Sequence, residues 1–387
     1  MPIHSGIDVL EKNNFDLLKG AKVGIVVNPA SVNRHLEPTL DLMLKNGVNV
    51  KAIFGPQHGL YAEIQANMIE WDGFIDKRTD LPVYSLYGKV RKPQSEMLKA
   101  VDALVFDLPD VGARYYTFIW TMALCMQACA EHGKRMVILD RPNPISGIKV
   151  EGPVLNPEFS SFVGMYPIAV RHGMTVAELA LMFNEESRIG CQIEVVKMEG
   201  WKRRMWFDDT GLPWIIPSPN MPTLGTAIVY PGMCLLEGTN LSEGRGTTRP
   251  FEIFGAPWLD PYQLKEKLER EKFPGVFFRP LCFIPTFNKW KDEQCRGIQI
   301  HVTDREQFFP FEIALAIVKY SHEFHPDSFR WKSPPYEYEE KKLPFDIIVG
   351  SDRLRKIMDR ELREIFMSWY EDLQEFKTIR EKYLIYK

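Results

Sequence analysis

The sequence holds no stretch of the ~18 consecutive apolar residues that a helix needs to cross a bilayer, so no membrane span is expected. It holds no run of Lys and Arg either. With 48 basic against 51 acidic residues the net charge is −3, which argues against a nucleic-acid groove, where affinity rests on neutralised phosphates. The six cysteines (Cys125, Cys129, Cys191, Cys234, Cys282, Cys295) form no Cys-x-x-Cys pair. Cys125 and Cys129 sit one helical turn apart in an apolar pattern, as buried thiols do. The N-terminus lacks a basic region followed by an apolar core, so no export signal is visible. Reduced thiols and a missing signal fit a cytoplasmic protein; a chain trimmed of its signal would read the same.

Other absences narrow the chemistry. The first apolar run leads into Asn28-Pro29-Ala30-Ser31-Val32-Asn33, without the Gly-x-Gly-x-x-Gly that lets a pyrophosphate approach the backbone, and no Walker-type Gly-x-x-x-x-Gly-Lys-Ser/Thr occurs. No nucleotide cofactor is expected. His58, His172 and His301 stand apart, with no His-x-x-x-His or His-Glu-x-x-His pair, so no metal site is expected. There is no Gly-x-Ser-x-Gly elbow for a serine hydrolase. The expected ligand is small or neutral; oligomeric state is not legible.

What the chain does have is apolar residues in amounts that require a folded core: 45% hydrophobic and 26% charged over 387 residues. That length suggests two domains at roughly 100–200 residues each. The first part alternates strand and helix. Apolar runs predict strands at 22–27, 49–54, 103–106 and 135–139, and helical spacing predicts helices at 37–45, 94–100 and 117–132. Strands this apolar, separated by helices, imply an α/β domain with a parallel sheet covered on both faces.

Polar residues follow each strand: Asn28; Gln57 and His58; Asp107, Asp110 and Arg114; Asp140, Arg141 and Asn143. In open α/β sheets ligands bind beyond the carboxyl ends of the strands, so these four segments predict a site on one rim. The rhythm changes near Glu151-Gly152-Pro153, and an α+β domain follows. Thr175 and Glu178 form a capping box that starts a helix; strands are predicted at 193–196, 276–283 and 298–302, helices from Asp260-Pro261 and at 310–320, and a charged helical stretch from Ser351 onward. Pro217-Ser-Pro-Asn-Met-Pro222 cannot be regular structure. Glu237 and Glu243 lie in a Gly-rich loop with Asn240 and Arg245, which is read equally well as acids held at a cleft or as a Glu243–Arg245 pair that pins the loop.

Several blocks carry a resemblance. They are Phe54-Gly-Pro-Gln-His-Gly59, Leu81-Pro-Val-Tyr-Ser-Leu-Tyr-Gly88, Phe106-Asp-Leu-Pro-Asp-Val-Gly-Ala-Arg-Tyr-Tyr-Thr117 and Asp140-Arg-Pro-Asn-Pro144 in the first part. Glu151-Gly-Pro153, Arg171-His-Gly-Met-Thr175, Pro217–Pro222 and the stretch from Glu237 to Phe251 follow. Together they resemble the exo-β-N-acetylmuramidase family of peptidoglycan hydrolases, over nearly the whole chain. The resemblance implies a Rossmann-like domain (1–155) and an α+β domain (156–387) with the cleft between them. It also implies release of N-acetylmuramic acid from non-reducing ends of peptidoglycan glycans.

One departure stands out: family members characterised as hydrolases tend to read Pro-Glu-His-Gly where this chain has Gln57, and glutamine cannot ionise. On this resemblance Glu237 or Glu243 is expected as the acid, opposite Asp107 or Asp110. Gln57, His58, Tyr116, Asp140, Asn143, His172, Asn220 and Asn240 are expected to bind substrate. A lactyl carboxylate calls for a guanidinium, with Arg245, Arg171 and Arg114 as candidates in that order. Glu63 and Glu70 are nearby substitutes for the carboxyl missing at Gln57. The alternatives are a route in which the sugar's own 2-acetamido group is the nucleophile and an enzyme carboxylate orients it, a sugar-binding protein that keeps the cleft without turnover and, least supported, an NAD-assisted glycosidase.

Overall fold

The computed structural model describes residues 2–66 and 68–387. Its strands are β1 (Lys22–Val26), β2 (Asn49–Gly55), β3 (Phe74–Ile75), β4 (Pro82–Ser85), β5 (Ala103–Phe106), β6 (Arg135–Leu139), β7 (Glu151–Val154), β8 (Ala169–Arg171), β9 (Gln192–Val196), β10 (Ile253–Ala256), β11 (Val276–Phe283) and β12 (Cys295–Val302). Seven build one sheet in the order β3-β4-β2-β1-β5-β6-β9. All neighbours pair in parallel except β3, which runs antiparallel along the edge of β4. The fold is α/β, with the predicted strands and the helices Thr39–Lys45 and Phe118–Glu131 close to their expected places.

Alternation along the strands explains how both faces are covered. Ile25, Ile53, Val105 and Val137 point to one apolar cluster, which the helices Gly6–Lys12 and Thr39–Lys45 help to build. Phe54, Leu104, Phe106, Met136 and Ile138, one step out of phase, point to the other. This second cluster does not stop at the sheet. It continues through Phe118 and Trp120 into Leu235, Phe254, Phe311 and Ile317 of the later half, so the two halves share one apolar interior.

The sheet also crosses the expected division at 155/156. After β7 and β8 pair as a short antiparallel ribbon, the helix Val176–Glu186 leads back to β9, which completes the sheet beside β6. That helix opens with the predicted capping box: Thr175 accepts from the Glu178 backbone and Glu178 reaches back to the Thr175 N–H at 3.0 Å. Beyond it lie the antiparallel sheet β10-β12-β11 and the helices Pro261–Arg270 and Pro310–Phe324. Asp260 caps the first of these, its Oδ1 accepting from the backbone of Tyr262 and Gln263. The chain ends in the short helices Arg353–Lys356 and Leu362–Met367 and the longer Tyr370–Glu381.

Candidate active site

Five separated stretches bring polar side chains to one cleft, and Val163 adds an apolar contact. The turn after β2 brings Gln57 and His58, and the link from β5 to its helix brings Tyr115, Tyr116, Thr117 and Phe118. The proline-rich stretch brings Ser218, Asn220 and Met221; the helix Leu224–Met233 and the loop after it bring Tyr230, Glu237, Arg245 and Phe251. A late turn adds Tyr336 and Glu337. Of the four strand ends expected to form a site, those of β2 and β5 lead into this cleft.

His58 stands at φ 74° and Gly59 at φ 89°, so the chain reverses sharply there. Its Nδ1 lies 2.6 Å from the Ile64 carbonyl oxygen. Burial, partly offset by that hydrogen bond and reinforced by the charge of Arg245, lowers its pKa to about 4. His58 is therefore neutral at pH 7, donating through Nδ1 and keeping Nε2 as an acceptor.

Glu237 follows an apolar run and is buried. Arg245 Nη2 donates to its Oε1 at 2.8 Å, and the Tyr336 hydroxyl donates to its Oε2 at 2.9 Å. Burial alone would push the Glu237 pKa up; the charge and hydrogen bond of Arg245, helped by Lys332 and Lys289, outweigh it and hold the carboxyl below its ordinary value. Arg245 is placed by glycines on either side. Gly244 and Gly246 sit at φ 78° and 79°, where a Cβ would meet the Ile253 carbonyl at 2.5 Å and the Phe287 carbonyl at 2.7 Å. The guanidinium lies over the Phe251 ring, and its buried Nη1 has no hydrogen-bond partner among the described residues.

Glu337 carries the other carboxyl of the cleft, and the sequence reading missed it. Tyr87 donates its hydroxyl to Oε2 at 2.8 Å and Gln57 donates Nε2 to Oε1 at 3.2 Å. Gln57 is itself oriented by the Thr117 hydroxyl, 2.6 Å from its Oε1. Burial raises the Glu337 pKa to about 7, with the Glu237 charge adding to the rise and the Tyr87 and Gln57 hydrogen bonds opposing it. Two carboxyls in one cleft are thus pushed apart in protonation, the arrangement by which acid and base are divided between like groups.

The structure places the remaining candidates elsewhere, each for a visible reason. Asp107 is gripped by Arg141 through Nε at 2.6 Å and Nη2 at 2.8 Å and by the Thr39 hydroxyl at 2.5 Å, which ties the ends of β5 and β6 together. Asp110 Oδ2 accepts from the Gly112 N–H at 2.7 Å and lies 3.1 Å from His172 Nε2, while its Oδ1 has no hydrogen-bond partner among the described residues. Asp110 lines a separate, largely apolar hollow at the ends of β1, β5 and β6, roofed by Phe207, Trp214 and Pro217. Asp140 accepts from Thr175, the Ala177 backbone and Tyr386 and so anchors a helix start. Asn143 bridges the Met174 carbonyl and the Ile145 N–H.

Arg114 is fully buried and donates to four carbonyls, those of Pro153, Ile168, Ile348 and Val349. Arg171 is equally buried, donating to the Ile145 carbonyl. Asn240 holds the Ser328 carbonyl and the Arg330 N–H. Glu243 lies behind Arg245, 3.2 Å from its Nε and 2.8 Å from Lys289, and does not line the cleft. Glu63 and Glu70 are exposed. Gln57, His58, Tyr116, Asn220, Glu237 and Arg245 are the candidates that the fold gathers in the cleft.

The chain matches two family descriptions in succession: Exo-beta-N-acetylmuramidase NamZ, N-terminal, over residues 23–225, and the C-terminal counterpart over residues 228–386. It is 46% identical over 387 residues to peptidoglycan beta-N-acetylmuramidase NamZ of Bacillus subtilis (strain 168), covering 99% of this chain and 91% of that protein. Two solved DUF1343 family proteins of Bacteroides fragilis NCTC 9343 superpose over the whole chain and 99% of their own, one with TM-score 0.89 at 38% identity, the other with 0.77 at 30%. The chain belongs to the exo-β-N-acetylmuramidase family.

Proposed function

We propose that this protein is a β-N-acetylmuramidase that releases N-acetylmuramic acid from the non-reducing ends of peptidoglycan fragments. The observation that carries this reading is Arg245. A buried guanidinium in a cleft beside an ionised carboxylate keeps its Nη1 uncommitted among the described residues. Around it, the cations Arg245, Lys289 and Lys332 act on Glu237, while Glu243 is the other carboxylate in the cluster. Such a site accepts one more anion, and the lactyl carboxylate of muramic acid is that anion. Neutral hydrogen-bonding groups suited to sugar hydroxyls and an acetamido group surround it: Gln57, His58, Ser218 and Asn220.

The reaction adds water to the anomeric carbon and expels the glycosidic oxygen with a proton. Glu237, held ionised, supplies the carboxylate that this transfer requires. The sequence relationship to the Bacillus subtilis enzyme supports the same reading. The experiment is turnover of an aryl β-N-acetylmuramide beside the matching β-N-acetylglucosaminide, with calorimetry on N-acetylmuramic acid. Turnover confined to the muramide is the expected result; binding without turnover of either would leave a sugar-binding protein instead.

A further inference from the structure

We propose that Glu337 is the proton donor to the leaving glycosidic oxygen and that Gln57 is its positioning residue. This rests on the hydrolase reading. Hydrolysis of a glycoside by paired carboxyls needs one protonated group on the departing oxygen and a second, ionised one. Of the residues lining the cleft, Glu237 and Glu337 carry the carboxyls. Glu237 is clamped by a guanidinium at 2.8 Å, which fixes it as the ionised member. Asp107 and Asp110, the acids of the opposite rim, do not line the cleft. Glu337 is left to donate.

Its surroundings suit the task. Glu337 is 2% exposed and lies directly after Tyr336, whose hydroxyl is bound to Glu237, so a single turn sets both carboxyls. Both neighbours of Glu337 donate to it: Tyr87 to Oε2 and Gln57 to Oε1. With Thr117 donating to Gln57 Oε1, the amide is fixed with its NH₂ toward Glu337. Gln57 thus presents no acceptor to a proton on Glu337, and the Tyr87 hydroxyl is turned to donate, which leaves that proton for a substrate oxygen. The titratable and charged groups acting on it are Tyr87, Glu237 and Arg245.

In the step, the O–H bond of Glu337 breaks as one forms on the glycosidic oxygen. The C–O bond to the anomeric carbon breaks with its electron pair leaving on that oxygen. Water supplies the hydroxyl that replaces it, and the proton water sheds restores the acid. Glutamine at position 57 is consistent with this division, because it can hold a carboxyl in place without competing for the proton.

The test is a leaving-group comparison. Glu337→Gln should lower kcat on a disaccharide ending in N-acetylmuramic acid by about 10²–10⁴-fold, the usual worth of general acid catalysis, with KM little changed. On a dinitrophenyl muramide, whose leaving group needs no proton, the loss should be under about tenfold. A second variant, Tyr87→Phe, keeps Glu337 but removes a donor that favours its ionised form, so the alkaline limb of the kcat profile should move to higher pH. Equal losses on both substrates, or a limb that stays put in Tyr87→Phe, would overturn the assignment to Glu337. Wild-type protein inert toward both substrates would instead remove the hydrolase reading itself.

Discussion

Tyr336 donates its hydroxyl to Glu237 across 2.9 Å, joining residues 99 positions apart in the chain. Because Glu337 is the next residue, this one contact places a protonated and an ionised carboxyl on the same cleft. Tyr336→Phe should keep the fold, since the ring stays packed, but release one oxygen of Glu237. The loss of one hydrogen bond to a charged group corresponds to about 1.5–3 kcal/mol, or roughly 10- to 150-fold in kcat/KM. Steady-state kinetics on an aryl muramide would measure it, and an unchanged kcat/KM would count against any role for the contact.

Arg245 is expected to read the lactyl group. In Arg245→Lys the point charge remains but the fork is lost, and the preference for muramide over glucosaminide should fall by about 30-fold or more, as for a buried charged contact worth ~2 kcal/mol. Equal loss on both sugars would show that Arg245 serves only to hold Glu237.

The glycines beside it should be intolerant of a side chain. Gly246→Ala places a Cβ 2.7 Å from the Phe287 carbonyl at φ 79°, so the loop must move and carry Arg245 with it. A displacement of an ångström at such a position costs on the order of 10²-fold in rate. Gly133→Ala is the control: its φ is also positive, at 61°, but nothing lies within 4 Å, so activity should stay at the wild-type level while thermal stability falls modestly.

Arg114 illustrates a candidate whose role is structural. Arg114→Met strips four buried carbonyls of their shared donor and should lower stability by about 3 kcal/mol or more, measured by urea unfolding. The fraction that stays folded should keep its muramide-to-glucosaminide preference; a changed preference would return Arg114 to the binding site.

Stability should decline as pH rises through neutrality. Burial raises the pKa of Glu151 to about 8 and that of Asp140 to about 7. Folded protein therefore keeps protons that the unfolded chain releases near pH ~4, so the stabilisation present below that point is lost as pH climbs toward 7–8. Glu151 accepts from the Phe311 N–H at 2.8 Å, a contact that glutamine can retain through its carbonyl oxygen. Thermal midpoints from pH 5 to 8.5 should fall in the wild type and fall less steeply in Glu151→Gln; parallel slopes would remove Glu151 as a cause.

The sheet was legible in the sequence because its strands are continuous apolar runs buried on both faces, and β1, β2, β5 and β6 lie close to where those runs predict. The edge strand β3 and its neighbour β4 were not, being short and partly exposed. Half of the cleft was legible too: Gln57 and His58 stand at a strand end, and Glu237 and Arg245 share a glycine-rich loop. Asp107, Asp110 and Asp140 stand outside the cleft for a physical reason. A carboxylate at a strand end serves equally to tie loops and cap helices, and sequence does not show which N–H groups it will meet. Glu337 was invisible because its partners, Gln57 and Tyr87, lie 280 and 250 positions away, and no local pattern marks a residue defined by contacts at that range.

The apolar interior that runs unbroken from the sheet into the later half has a bearing on how the enzyme takes in its sugar. Two lobes fused in this way cannot part like jaws without exposing their common filling to water. The walls of the cavity thus stand ready before any glycan arrives, and little free energy is diverted to closing them. Selectivity then lies in what the preformed mould admits.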